Sequence, residues 1–305
     1  MMTTISPGDV PDDIPPHEAP ESGMESDRIQ SLDSDGLQSM LAFAHQLADA
    51  AAQVTLRHFR QPVEVDNKLQ GNDFDPVTIA DKAAEEAMRE LIRTQYPAHG
   101  IYGEEHGLEA GSSDLTWVLD PIDGTRAFIS GLPIWGILIA LYDGERPIVG
   151  IMDQPFTGER YFACGRGGVS MLRYKGTDTK LATSSCEQLS DAIMMSTAPD
   201  MFDSSETNVH QKLAGAVKLM RYGGDCYAYC LLAAGHIDLV IESGLSAYDI
   251  QALIPVIENA GGMVTDWSGE TAVNGGQIVA AATPAIHHQA LEVLAPAAKK
   301  SNKIL

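Results

Sequence analysis

The segment Trp117-Val118-Leu119-Asp120-Pro121-Ile122-Asp123-Gly124-Thr125 constrains this chain more than any other. Its apolar start reads as a short buried strand that stops at Asp120, because Pro121 has no N–H for a ladder and fixes φ. Asp123 then lies close to Asp120, so two carboxylates and the carbonyls between them converge at a strand end. Hard cations such as Mg²⁺ favour such oxygen clusters and keep room for water and phosphate. Gly124 permits close backbone approach, and Gly124 with Thr125 opens a helix whose free N–H groups favour an anion. Cation ligands beside an anion-binding helix start describe a phosphate-ester site. The competing reading is a polar turn in which Asp120 and Asp123 only cap a helix.

The rest of the chain reads as layered α/β packing. Apolar residues recur at helical spacing over 37–59, with Leu37, Leu41, Ala44, Leu47, Ala48 and Ala51 on one face. A looser stretch holds Pro62, Gly71 and Pro76, and a second helix starts near Ala80 or Asp81 and ends at Tyr96-Pro97. Strands are expected at 134–142, 148–152 and 160–163, with Asp143-Gly144 as a turn. Later come helices over 226–234, 249–260 and 285–294 and strands over 237–241 and 277–282. The expected organisation is an acidic disordered tail at 1–36, halves at 37–185 and 186–296, and a basic flexible tail at 297–305.

Three further segments place acids at element ends. Gly103-Glu104-Glu105 follows a strand, and Asp75-Pro76-Val77-Thr78-Ile79-Ala80-Asp81 and Ala247-Tyr248-Asp249 start helices. Singly, each is an ordinary cap. Together, GEE at 103–105, DPIDGT at 120–125, DPVTIAD at 75–81 and AYD at 247–249 resemble, in order and spacing, the inositol monophosphatase superfamily of Mg²⁺-dependent, lithium-sensitive phosphatases. The resemblance spans about residues 37–296. It implies the αβαβα layered sandwich of the inositol monophosphatase and fructose-1,6-bisphosphatase type. It also implies a homodimer and two or three Mg²⁺ per site, with Mn²⁺ as a possible substitute. By position, Glu104, Asp120 and the carbonyl of Ile122 match ligands of one metal, and Asp120, Asp123 and Asp249 those of a second. Glu104 matches a residue helping to hold a third through water. Thr125 and Asp81 match the pair that activates the attacking water, and the N–H groups of Gly124 and Thr125 match the phosphate rest. No Cys or Ser nucleophile is needed, so direct hydrolysis without a phosphoenzyme is expected.

Substrate choice is expected in the second half. Tyr222-Gly223-Gly224-Asp225-Cys226-Tyr227 carries Asp225 where inositol phosphatases usually have Thr or Ser, and Glu242 matches an acid on the leaving-group side. Asp225, Glu242 and Gly224 are therefore candidate substrate contacts, and two acids there suit an amine or imidazolium. With DPIDGTRAF, including Arg126, and IESGLSAYDI, they resemble the histidinol-phosphate phosphatase branch, which acts in histidine biosynthesis. The alternatives are that Asp225 caps the next helix and Glu242 is a rim charge. Inositol-1-monophosphatase, a broad sugar or nucleotide phosphatase, and a non-catalytic metal-binding module are the competing functions.

Charge and cysteines bound the partners. With 42 acidic and 20 basic residues the formal charge is −22, which repels nucleic acid and anionic membranes. Residues 1–36 hold eight of those charges. The four cysteines form no CxxC and read as reduced thiols. No apolar run spans a bilayer and no secretory signal opens the chain, so a cytoplasmic location is expected. Trp117, Trp135 and Trp267 read as core, Gly165-Arg166-Gly167-Gly168 as a tight turn, and the histidines as mostly surface or loop residues.

Overall fold

A computed structural model describes residues 33–61, 65–67 and 76–299, the segments 65–67 and 76–78 by backbone alone. The acidic tail to residue 32, Pro62, Gly71, Asp75 and residues 300–305 lie outside the described residues.

Helix α1, Ser34–His58, begins before the expected start, so residues 34–36 belong to it rather than to the tail. Asp35 sits in its first turn, where a carboxylate favours the positive end of the helix dipole. Short strands β1 (Val65–Asn67) and β2 (Pro76–Thr78) pair antiparallel. Helix α2, Ile79–Gln95, follows. Next come β3 (Gly100–Gly103), β4 (Gly107–Glu109), β5 (Thr116–Asp123) and α3 (Thr125–Ile129). Strands β6 (Gly136–Tyr142), β7 (Pro147–Gln154), β8 (Glu159–Cys164), β9 (Ser170–Tyr174) and β10 (Thr177–Lys180) complete an eight-stranded sheet. Its order is β10-β9-β8-β7-β6-β5-β3-β4, antiparallel except for β3 beside β5.

The second half contains β11 (Ile193–Ser196), α4 (Ser204–Ala214), β12 (Leu219–Tyr222), α5 (Asp225–Ala233) and β13 (Leu239–Leu245). It closes with α6 (Ala247–Ile250), α7 (Leu253–Glu258), β14 (Met263–Asp266), β15 (Gly276–Ala281) and α8 (Pro284–Leu294). The five strands form a sheet ordered β12-β11-β13-β15-β14. The helix expected over 249–260 is two short ones. The break puts Pro255 in the first turn of α7, where its missing N–H leaves no intrahelical bond unmade.

Side-chain alternation sorts the layers. On β13 and β15, Val240, Ile278 and Ala280 face a core shared with Val118, Leu138 and Met152 of the large sheet and with α5 and α7. Leu239, Ile241, Val279 and Ala281 face the opposite way, against Phe202, Leu213, Ile286 and Leu294 of α4, α8 and the turn before α4. Helices α1 and α2 cover the other face of the large sheet, where the Phe43 ring meets Trp117 edge-on at 5.4 Å. The layers are thus αβαβα, with α5, α6 and α7 between the sheets.

All three tryptophans are fully buried. His210 and His287 are buried too, exceptions among histidines expected to be mostly surface or loop residues, and pair with Ser196 and Thr265. Gly165 and Gly167 turn the chain at positive φ after β8. All four cysteines are free thiols. No helix among the described residues is long and apolar enough to cross a membrane.

Candidate active site

Strand β5 does not stop at Asp120. It pairs with β6 through Asp120↔Leu138, slips, and resumes at Asp123↔Gly136. Pro121 has no N–H to offer, and the Ile122 N–H turns instead to Asp120 Oδ1 at 3.0 Å. The bulge swings Asp123 back beside Asp120, as bulges re-aim side chains next to sites. Gly124 then takes φ 83° and Thr125 opens α3. The Thr125 hydroxyl donates to the Ile122 carbonyl at 3.2 Å, locking the turn.

Asp249 arrives from another layer. It is in the first turn of α6, where its carboxylate accepts the Ser246 N–H at 2.7 Å, so it caps the helix as well. One oxygen from each of Asp120, Asp123 and Asp249 lies within 4.8 Å of the others. Glu104, just past β3, joins them through a side-chain hydrogen bond to Asp120. Asp81 is fully buried in the first turn of α2.

The electrostatics follow from stacking these acids in a poorly hydrated place. Burial, then Glu104, Asp123 and Asp249, raise the Asp120 carboxyl well above the usual range. Burial and Asp123 do the same to Asp249. Asp123 is pushed up to about 7, chiefly by burial, although the Cys226 N–H bonds it at 2.7 Å. Converging carboxylates that resist ionisation lack a counter-charge, and an all-oxygen donor set suits a hard divalent cation. Such a cation fits the residues present.

A cavity of about 190 Å³ adjoins the acids and is lined by Asp225, Glu242, Tyr229 and Thr197, among others. Glu242 is buried, not a rim charge. It accepts the Thr197 N–H at 2.9 Å and the Tyr229 hydroxyl at 2.9 Å, and burial lifts its carboxyl to about 7. It sits where β13 bulges against β15, between Glu242↔Ile278 and Leu245↔Gly276. Asp225 does not cap α5: Gly224 holds the cap position, and Asp225 has an unusual φ of 44°. Burial and Asp123 raise its carboxyl to about 7. Gly224 is buried, and a Cβ there would meet Met195 Cε at 2.8 Å and Ala228 Cβ at 2.9 Å, so only glycine fits.

Sequence reasoning missed Glu85. Fully buried on α2, it accepts the Glu105 N–H at 2.7 Å and the His106 N–H at 3.2 Å, and it pairs with Arg89 Nε at 2.7 Å. It thus holds the turn that carries Glu104. Gly103 is required there, since a Cβ would lie 2.2 Å from Glu85 Oε1. The readable signal was Glu85 and Arg89 spaced i, i+4 on a helix face that also carries Ala84, Met88 and Ile92. Thr197 and Tyr229 carried no local signal.

The model of the inositol monophosphatase family matches residues 36–303. The chain belongs to the inositol monophosphatase family. A bifunctional phosphatase from Arabidopsis thaliana, the chloroplastic IMPL2, is 44% identical over 269 residues, covering 85% of this chain and 75% of the relative. A histidinol-phosphatase from Streptomyces coelicolor is 34% identical over 83% of this chain and 96% of its own. A solved inositol monophosphatase from Zymomonas mobilis superposes with TM-score 0.74 at 38% identity, covering 85% of this chain and 98% of that one. The protein is a metal-dependent phosphomonoesterase of this family, and the expected fold class and family resemblance hold.

Proposed function

We propose that this phosphatase hydrolyses L-histidinol phosphate to L-histidinol and phosphate, with Mg²⁺ as its metal. The observation that carries the reading is the pair of acids, Asp225 and Glu242, lining the cavity next to Asp123 and Asp249. A polyol leaving group offers such carboxylates no compensating charge, whereas an ammonium or imidazolium does. Relatives from three bacteria described as histidinol-phosphatases, at 32% to 34% identity, support it.

In this reading Glu104, Asp120, the Ile122 carbonyl, Asp123 and Asp249 hold the metal ions. Bound divalent cations supply neutralisation of the ester dianion and acidify water. The chain does the rest. The N–H groups of Gly124 and Thr125 receive phosphate oxygens. The Thr125 hydroxyl orients the attacking water in line with the ester bond, and the Asp81 carboxylate accepts its proton. Water oxygen bonds phosphorus as the bond to the alcohol oxygen breaks, and the departing alkoxide takes a proton from solvent to become L-histidinol, so no phosphoenzyme forms. Two further expectations stand with it. The protein works as a homodimer, checked by light scattering, and in a reducing compartment such as the cytoplasm, in keeping with four free thiols.

The test is Asp225→Thr, assayed with Mg²⁺ on L-histidinol phosphate and inositol 1-phosphate. Losing a charged hydrogen-bond partner removes about 1.5–3 kcal/mol, or roughly tenfold to a hundredfold in kcat/KM, from the first ester. The second is spared or improved. Equal losses on both would overturn the assignment of the substrate.

A further inference from the structure

Past Thr197, Met201 and Asp225 the substrate cavity continues into a second chamber of about 310 Å³, because those three residues line both. The second chamber adds Arg126 and Asp200, which face each other with Nη1 and Oδ2 3.6 Å apart. Arg126 follows β5 of the large sheet, and Asp200 follows β11 of the small one. The pair therefore bridges the two sheets across the mouth of the cleft. Both side chains are mostly exposed, at 62% and 72%, so their contact is weak and readily broken.

Arg126 is the only cation among the described residues lining the two chambers, against Asp123, Asp200, Asp225, Glu242 and Asp249. Its guanidinium also favours the charged form of Asp225. Asp225 and Arg126 differ in freedom. Asp225 is held at φ 44° with its carboxyl carbon 3.0 Å from where a Cβ on Gly124 would be, so its position is fixed by packing. Arg126 has a long, mostly exposed side chain whose ion pair with Asp200 costs little to break.

We propose that Arg126 is a resident counter-ion of the chamber beyond the Asp225–Glu242 cavity, displaced into solvent when the far end of a cationic leaving group reaches past Asp225 towards Asp200. A cation restores both carboxylates' partner. A neutral alcohol does not, and it leaves Arg126 in the chamber competing for room. Arg126 then tempers the direct attraction: a cationic ester must displace a like charge, so the carboxylates' full preference for it is held in check. The inference rests on the reading that the leaving group is cationic.

Steady-state kinetics with L-histidinol phosphate and inositol 1-phosphate, on wild type, Arg126→Gln and Asp200→Asn, test it. Arg126→Gln is expected to lower KM for the cationic ester about threefold to fivefold, and Asp200→Asn to raise it by a similar factor. The change falls on KM more than on kcat, and the neutral ester's KM moves less. Calorimetric binding of L-histidinol, which has no phosphate, gives the same opposite signs. A higher KM for the cationic ester in Arg126→Gln would make Arg126 a direct substrate ligand and overturn the inference alone. Shifts of equal size and sign for both esters would do so too. A wild type that prefers the neutral ester overturns the histidinol-phosphate reading along with it.

Discussion

Asp120→Asn separates the stability of the fold from the function of its acid cluster. The substitution keeps the Oδ1 atom that accepts the Ile122 N–H at 3.0 Å, so the bulge of β5 survives. It removes one charge from three carboxylates whose oxygens lie within 4.8 Å. At that spacing and an effective dielectric of about 20, each fully charged pair repels by roughly 3 kcal/mol. Proton uptake already relieves part of this, as the raised Asp120 and Asp249 carboxyls show, leaving about 1–2 kcal/mol to recover. Without metal, the variant should melt about 2–4 °C above wild type. Excess Mg²⁺ reverses the order, since a hundredfold excess over Kd stabilises wild type by about 2.7 kcal/mol and the variant has lost a ligand. Scanning calorimetry in chelator and in Mg²⁺, with phosphate release alongside, reads all of this. A variant no more stable than wild type in chelator, or one with an undiminished Mg²⁺ shift, would refute the reasoning.

Glu85→Ala takes the main carboxylate from Arg89, which is 1% exposed, and frees the turn carrying Glu104. A loss of about 3 kcal/mol in denaturant unfolding is expected, with a rise in the Mg²⁺ needed for half-maximal activity; an unchanged midpoint contradicts it. His45 is half-buried beside Arg160, and burial first, then that guanidinium, lower its pKa from 6.5 to about 4. The unfolded chain therefore binds the proton more readily, so stability is full above 6.5 and falls as pH drops towards 4, by about 1–3 kcal/mol. His45→Gln should flatten the unfolding free energy over that interval, and an unaltered slope would assign the loss elsewhere.

The layers were legible because their signals are periodic. The stripe of α1 and the alternation on β13 and β15 mark faces that packing then uses. Helix α4 carries a readable start, Asp203 with Glu206, which form a capping box, yet its weak apolar face hides it. The hairpin of β9 and β10 is invisible for a physical reason: every residue of β10 is exposed, so no face imposes a pattern. At the site, residue types at element ends revealed Asp120, Asp123 and Asp249. Their convergence needed two features that only folding creates, the slip in β5 and the approach of α6. The left-handed Asp225 and the burial of Glu242 are set by neighbours distant in sequence, Gly124 for one and Tyr229 and Thr197 for the other.

The most direct measurement is kcat/KM for L-histidinol phosphate against inositol 1-phosphate on the wild-type protein, with Mg²⁺ and again with chelator. A cleft with Asp225 and Glu242 facing the leaving group should favour the cationic ester at least about tenfold, equal to 1.4 kcal/mol. Chelator should abolish turnover of both. Equal or faster hydrolysis of inositol 1-phosphate, or phosphate release that persists in chelator, would contradict the central claim.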